Sequence, residues 1–247
     1  MAVEEPLVSL STWQPVEPGP PSPQRRALLQ TIAETIDETS SGRLRVAVDG
    51  RTGAGKSTFG HELAAALQAC GRATARASLD DFKHPWRHAA EHGYDRVSGR
   101  GFYENAYDLE GVRSLLLGPG GASGSGVVSL CAHDPLTGID HREQTVALRP
   151  DHVLVVDSVF AMRPELDHLW DLRIRLTVEP ATALARGLAR DLGREGEAEA
   201  RRLHEERYAP AEAVYLAQVD AVARADLVID NTDLVRPALV VDRTRRR

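Results

Sequence analysis

Apolar positions change period several times along the chain, and each change predicts an element. Leu28, Leu29, Ile32 and Ile36 recur at helical spacing between Gln24 and about Thr39. Leu44-Arg45-Val46-Ala47-Val48-Asp49 is apolar and β-branched, which reads as a buried strand. Phe59, Leu63, Ala66 and Leu67 return to helical spacing. Residues 73–79 predict a second strand, ending in Asp80-Asp81. Residues 84–116 mix polar and aromatic side chains, with a helix expected around 109–117. Gly118 to Gly126 is rich in Gly, Ser and Pro and reads as a linker or loop. Further strands are expected at 127–132, 153–157, 172–178 and 225–229, with a charged helical stretch over 180–222. The unbroken run Val153-Leu154-Val155-Val156 implies burial on both faces. Strands alternating with helices predict an α/β fold, a parallel sheet flanked by helices.

Composition narrows the class. A chain of 247 residues, 42% hydrophobic and 27% charged, can bury a sizeable core as one large domain or two small ones. A net charge of −6 implies no basic surface for nucleic acid. No apolar run reaches the length of a membrane span, and the first residues lack a signal-peptide pattern. Cys70 and Cys131 are too few and too far apart for a disulfide framework, which fits a reducing, cytoplasmic setting. The oligomeric state stays open, a homo-oligomer included. Pro6, Pro15, Pro18, Pro20, Pro21 and Pro23 mark residues 1–23 as a loose or extended lead-in. The main domain is expected over 24–240, with 241–247 as a basic, frayed tail.

Chemistry enters at Gly50-Arg51-Thr52-Gly53-Ala54-Gly55-Lys56-Ser57, followed by Thr58. The stretch matches the phosphate-binding pattern G-x-x-x-x-G-K-[ST], and it lies between a predicted strand and a predicted helix, the context that gives the motif meaning. Glycines let successive N–H groups curl round a phosphate, and the helix start adds positive partial charge. Lys56 would reach the β- and γ-phosphates of ATP, and Ser57 would hold Mg²⁺. Asp80 and Asp81 close a predicted strand, where α/β sheets bind ligands. A carboxylate there can take a proton from an attacking hydroxyl, although a cap or turn aspartate looks the same in sequence. Asp157 closes an apolar strand and fits a Mg²⁺-side carboxylate. Arg186, Arg190 and Arg194 fall on one helix face, either solvated or turned to the phosphates. Phe102, Tyr103 and Tyr107 are core residues or walls of an acceptor pocket, and His133 and Asp134 lie in a polar loop that is a candidate acceptor contact. His84, His88 and His92, spaced by four, read as surface or substrate-side residues more readily than as metal ligands.

In this order the motifs resemble the phosphoribulokinase/uridine kinase family, which includes bacterial pantothenate kinase. The resemblance runs from about Arg45 to Asn231. Ser78-Leu79-Asp80-Asp81-Phe82 is similar to the family's S-x-D-x-F, which picks Asp80 as base. Gly101 to Asp108 resembles the acceptor-side segment in its pantothenate kinase version. Leu184-Ala185-Arg186 through Arg190-Asp191 resembles the arginine-bearing lid helix, and Ala225 to Asn231 resembles the last strand, near the adenine. The departures are Val155-Val156-Asp157-Ser158, where the family usually ends its apolar run in Glu-Gly, Glu195-Gly196-Glu197 in place of Arg-Gly-Arg, and no arginine near Ala183. The resemblance implies a P-loop NTPase fold with a helical lid at about 186–210. It also implies a kinase that moves the γ-phosphoryl group of ATP to a hydroxyl of a small molecule. The catalytic set would be Asp80, Lys56, Arg186 and Arg190, with Ser57 and Asp157 on Mg²⁺. Uridine or cytidine is the leading acceptor; pantothenate, ribosylnicotinamide or a sugar phosphate remain open, as does an NTP-hydrolysing regulator.

Overall fold

Seven strands form one sheet, and the order of its strands decides where the site lies. The computed structural model describes residues 6–13 and 18–244. In chain order the main-sheet strands are β1 (Leu7–Val8), β2 (Leu44–Gly50) and β3 (Thr74–Ser78). After a separate hairpin of β4 (Val127–Val128) and β5 (Val146–Ala147) come β6 (Val153–Ser158), β7 (Leu172–Thr177), β8 (Leu227–Asp230) and β9 (Ala238–Asp242). The order across the main sheet is β1-β3-β6-β2-β7-β8-β9. All neighbours pair in parallel except β8 and β9. β2 and β6 are central, so their C-terminal ends, Gly50 and Asp157, open on the same edge.

Helices cover both faces, as a parallel sheet requires. On one face α1 (Pro23–Thr39) and α2 (Lys56–Ala69) bury Leu29, Ile32, Ile36, Phe59 and Leu63 against Val46, Val48, Val155 and Ile174. Of the stripes read from sequence, Leu29, Ile32, Ile36, Phe59, Leu63 and Leu67 are buried, and Leu28 and Ala66 are partly buried at the margin. On the other face Leu154 and Val156 meet Phe102, Leu116, Phe160 and Tyr215. α3 (Trp86–His92) precedes α4 (Gly99–Asn105), whose Phe102 and Tyr103 belong to that layer. Among the described residues no helix is long and apolar enough to cross a membrane.

Several elements differ from expectation. The strand read at 127–132 is cut to Val127–Val128, outside the main sheet; beyond it, the N–H of Ala132 donates to the carbonyl of Asp81 instead of to a strand. The glycine-rich stretch starts as helix at Gly118–Gly120 before it turns. β9 was not foreseen, and it runs across the expected start of the basic tail; residues 245–247 lie outside the described residues. In the proline-rich lead-in, whose Pro15 lies outside the described residues, Leu7–Val8 is a strand paired with Ala75 and Arg76 at the sheet edge, Thr12–Trp13 is a turn, and Pro23 already begins α1.

Candidate functional site

β2 ends at Gly50 and the chain curls through residues 51–55 into α2. Gly53 and Gly55 hold φ of +80° and +83°, values that side chains resist. A Cβ on Gly53 would collide with the Ala183 carbonyl, so glycine is what lets helix Pro180–Glu195 rest on the loop. Gly55 caps α2 without a side-chain bond, which leaves the first-turn N–H groups around Ser57 and Thr58 for an anion. The loop is backed by fixed polar groups. Asn231 donates from Nδ2 to the Ala54 carbonyl at 2.8 Å and accepts from Arg25 at 2.8 Å. Arg25 is in turn paired with Glu62 at 2.6 Å. The Arg51 side chain turns away to Glu212 at 3.0 Å, whereas Thr52 faces the cavity in front of the loop. Lys56 donates from Nζ to the Arg51 carbonyl at 2.9 Å. Burial lowers its pKa to about 8, against the opposing pull of Asp157, Asp80 and Asp49.

Ser57 donates its hydroxyl to Asp157 Oδ2 at 2.8 Å. Arg76, on β3 and buried, holds the other oxygen of Asp157 at 2.7 Å. A hydroxyl and a carboxylate converging beside a phosphate loop are hard oxygen donors, and this set fits Mg²⁺. Sequence reasoning passed over Arg76. Its signal was a charged residue in the middle of a short buried strand, which demands a partner.

The 3₁₀ turn Leu79–Phe82 separates the two aspartates. Asp80 faces the cavity, where its Oδ1 accepts from Lys83 at 3.0 Å and from the Tyr107 hydroxyl at 3.0 Å. Burial pushes the Asp80 carboxyl up, but Lys83, Lys56 and the Tyr107 bond outweigh it and hold it below the usual range. Asp81 points into the protein and accepts the Ser9 hydroxyl at 2.6 Å. Burial raises its pKa to about 7. Of the pair, Asp80 is the one that faces the cavity, and Asp81 anchors the N-terminal segment.

A cavity of about 440 Å³ brings Thr52, Lys56, Ser57, Asp80, Asp157 and Arg190 together. Phe102 and Tyr107 wall it, and Lys83 lies over both rings at 5.4 and 5.5 Å. Tyr103 does not reach it: α4 turns this ring into the core, and its hydroxyl donates to Gln218 at 2.9 Å. His133 and Asp134 line an adjoining cavity of about 640 Å³. Asp134 serves the backbone there. It accepts from the Thr12 N–H and hydroxyl at 2.6 and 2.7 Å, and from the N–H groups of Leu136 and Thr137 at 2.8 Å each. These donors hold its carboxyl far below the usual range despite the upward push of burial.

The three spaced arginines part company. Arg190 and Arg194 line the cavity, both braced by the buried Asp191 at 2.8 and 3.0 Å. Arg186 instead donates to the carbonyls of Asn231 and Thr232 at 3.0 and 2.5 Å, at the end of β8. Trp13 lies under Arg194 at 4.2 Å and joins the cavity wall, a contact that no sequence signal marked. His84, His88 and His92 stack in a row, with centroids 4.1 Å apart at each step.

No family model matches the chain, and no curated protein does. Solved structures do. One, described as a "putative fructose transport system kinase" from Silicibacter sp. TM1040, is 28% identical with a TM-score of 0.63 and covers 83% of this chain and 98% of its own. A "possible uridine kinase" from Bacillus stearothermophilus is 21% identical with a TM-score of 0.63 over 84% of this chain and 98% of its own. D-glycerate 3-kinase from Cryptococcus neoformans is 11% identical with a TM-score of 0.58 over 86% of this chain and 99% of its own. The last two carry likeness of fold alone. The α/β P-loop NTPase fold expected from the motifs is the fold observed, and the three neighbours are each described as a kinase.

Proposed function

We propose that this chain, with the fold and ordered motifs of the phosphoribulokinase/uridine kinase family, is an ATP-dependent kinase that phosphorylates a hydroxyl of a small metabolite. One observation carries the reading: Asp80, Lys56, Ser57 and Asp157 line a single cavity. A phosphate loop alone does not choose between water and an acceptor. A hydrogen-bonded carboxylate across the same cavity, walled by Phe102 and Tyr107, is what an acceptor needs and a switch does not.

The loop amides and the α2 N-terminus would hold the β- and γ-phosphates. Lys56, protonated below about pH 8, would leave the Arg51 carbonyl to reach them. Ser57 and Asp157 would hold Mg²⁺, which supplies charge neutralisation between the phosphates. Asp80, ionised at neutral pH, accepts the proton of the acceptor hydroxyl as that oxygen attacks. Its Oδ2 has no partner among the described residues, while Lys83 and Tyr107 fix Oδ1. Arg190 and Arg194 stand where charge spreads over the transferring group. Arg186 supports the β8 end rather than the reacting phosphate.

On the motif resemblance alone uridine or cytidine leads as the acceptor, with pantothenate, ribosylnicotinamide and sugar phosphates as the other candidates; the charge of the adjoining cavity weighs toward the anionic ones. ADP release measured with each acceptor class tests the reading. Acceptor-dependent turnover is expected; equal ADP release with every acceptor and with none would refute it.

A further inference from the structure

We propose that the acceptor carries an anionic group, a carboxylate or a phosphate monoester, received by Arg96, His133 and Arg207 in the cavity of about 640 Å³ beyond Asp80. The inference rests on the kinase reading for the hydroxyl end of the acceptor and adds the chemistry of its other end.

The two cavities share Trp13, Lys83, Phe102, Leu136, Arg194 and Tyr208 as walls, so they lie side by side, and one acceptor would reach from one into the other. The larger one adds Arg87, Arg96, Arg207, His84 and His133. Its acids, Asp134, Glu195 and Glu199, are already committed. Asp134 is saturated by loop donors, Glu195 pairs with Arg194 at 2.8 Å, and Glu199 pairs with Arg202 at 2.6 Å. Five cations, Lys83, Arg87, Arg96, Arg194 and Arg207, stand against these three acids, so the lining keeps a net positive charge even after Arg194 is paired with Glu195 and Lys83 with Asp80.

Arg96 makes the strongest case. It is only 4% exposed and lines the cavity. One terminal nitrogen donates to the His84 carbonyl, and the guanidinium lies 4.4 Å from the Trp86 ring centre. Its Nε has no partner, and no carboxylate pairs with it among the described residues. Burying a cation without a counter-ion is costly, and a bound anion relieves that cost. His133, 7% exposed, presents a second buried nitrogen, Nδ1, without a partner. Arg207 gives Nε to the Val97 carbonyl at 3.1 Å, which leaves its fork of N–H groups for a ligand. A neutral nucleoside would leave these charges unanswered. It would also compete with two guanidinium groups for Trp86, since Arg207 lies 5.5 Å from that ring as well.

Tryptophan fluorescence gives a readout that does not need turnover, because Trp13 and Trp86 both line the cavity. The full-length protein would be titrated with gluconate, glucose 6-phosphate, glucose and uridine; the first two distinguish a carboxylate from a phosphate. At least one anionic probe is expected to bind about 100-fold more tightly than glucose and uridine, as expected of a site whose buried polar groups await a charged partner. Arg96→Met is expected to weaken that probe by about 30-fold and Arg96→Lys by less, the scale of a lost charged hydrogen bond. Should Arg96→Met melt early, Arg207→Gln is expected to weaken it by about 10-fold. Preferential binding of glucose or uridine, or an unchanged anion affinity in both variants, would overturn the proposal. Anion binding with no ADP release from any anionic hydroxy compound would uphold this site and remove only the kinase reading.

Discussion

Arg76 and Asp157 form a buried ion pair across neighbouring strands, with guanidinium to carboxylate at 2.7 Å. The pair fixes the carboxylate that would hold Mg²⁺ in the proposed site. Arg76 occupies Oδ1, while Oδ2 takes Ser57. A Cβ on Gly60 would strike the Arg76 guanidinium, so the α2 glycine makes room for it. Breaking a buried pair by removing one partner typically costs about 3–5 kcal/mol. Arg76→Met should lose stability on that scale in urea denaturation, and Arg76→Met with Asp157→Asn should recover part of the loss. An unshifted midpoint in the single variant would show the pair to be structurally idle.

Asp80→Asn and Asp81→Asn separate chemistry from scaffolding. Asp80→Asn should lower kcat by about 100-fold or more while the KM for ATP holds, the usual range for loss of a general base. Asp81→Asn should keep most of the activity.

Asp81 also has a stability signature. Burial raises its folded pKa to about 7, above the ordinary aspartate value of 3.8. The stabilisation linked to its proton is therefore complete below about pH 4 and is lost as pH rises to about 7. Melting temperature should fall across that window in the wild type and fall less in Asp81→Asn. Parallel melting curves for the two proteins would contradict the assignment.

Lys83 and Tyr107 hold the Asp80 pKa down, so removing either should raise it. The acid limb of the pH profile of kcat/KM should move to higher pH in Lys83→Met and move less in Tyr107→Phe. A limb that stays in place would detach Asp80 from the observed titration.

Lys56 is held near pKa 8 by burial. ATP affinity should weaken as pH passes through about 8 and the ammonium is lost. Calorimetry on Lys56→Met should show weak binding with little of that pH dependence.

Much of this was legible in the sequence, for identifiable reasons. The loop, α1, α2 and the central strands announce themselves through local spacing: Leu29 to Ile36 and Val153 to Val156 are buried where the pattern put them. Asp80, Lys56, Ser57 and Asp157 converge because motif order along the chain maps onto strand ends. What was hidden depends on contacts between distant residues. Ser9 to Asp81 and Thr12 to Asp134 span 72 and 122 positions, so no window of sequence could show that the proline-rich segment is bound to the site. Arg186 and Arg190 have the same spacing signature but diverge because the carbonyls of Asn231 and Thr232, just past β8, capture the first and Asp191 the second. Tyr103 and Phe102 are adjacent on α4, and helical geometry sends one ring to the core and the other to the cavity.

The central claim is transfer to a hydroxyl rather than to water. The direct measurement is the fate of the γ-phosphoryl label of ATP in wild type and Asp80→Asn, with an acceptor panel present. The account predicts label on an acceptor in step with ADP formation, and loss of that label in the variant. Label appearing only as inorganic phosphate, at a rate indifferent to acceptor and to Asp80, would contradict it.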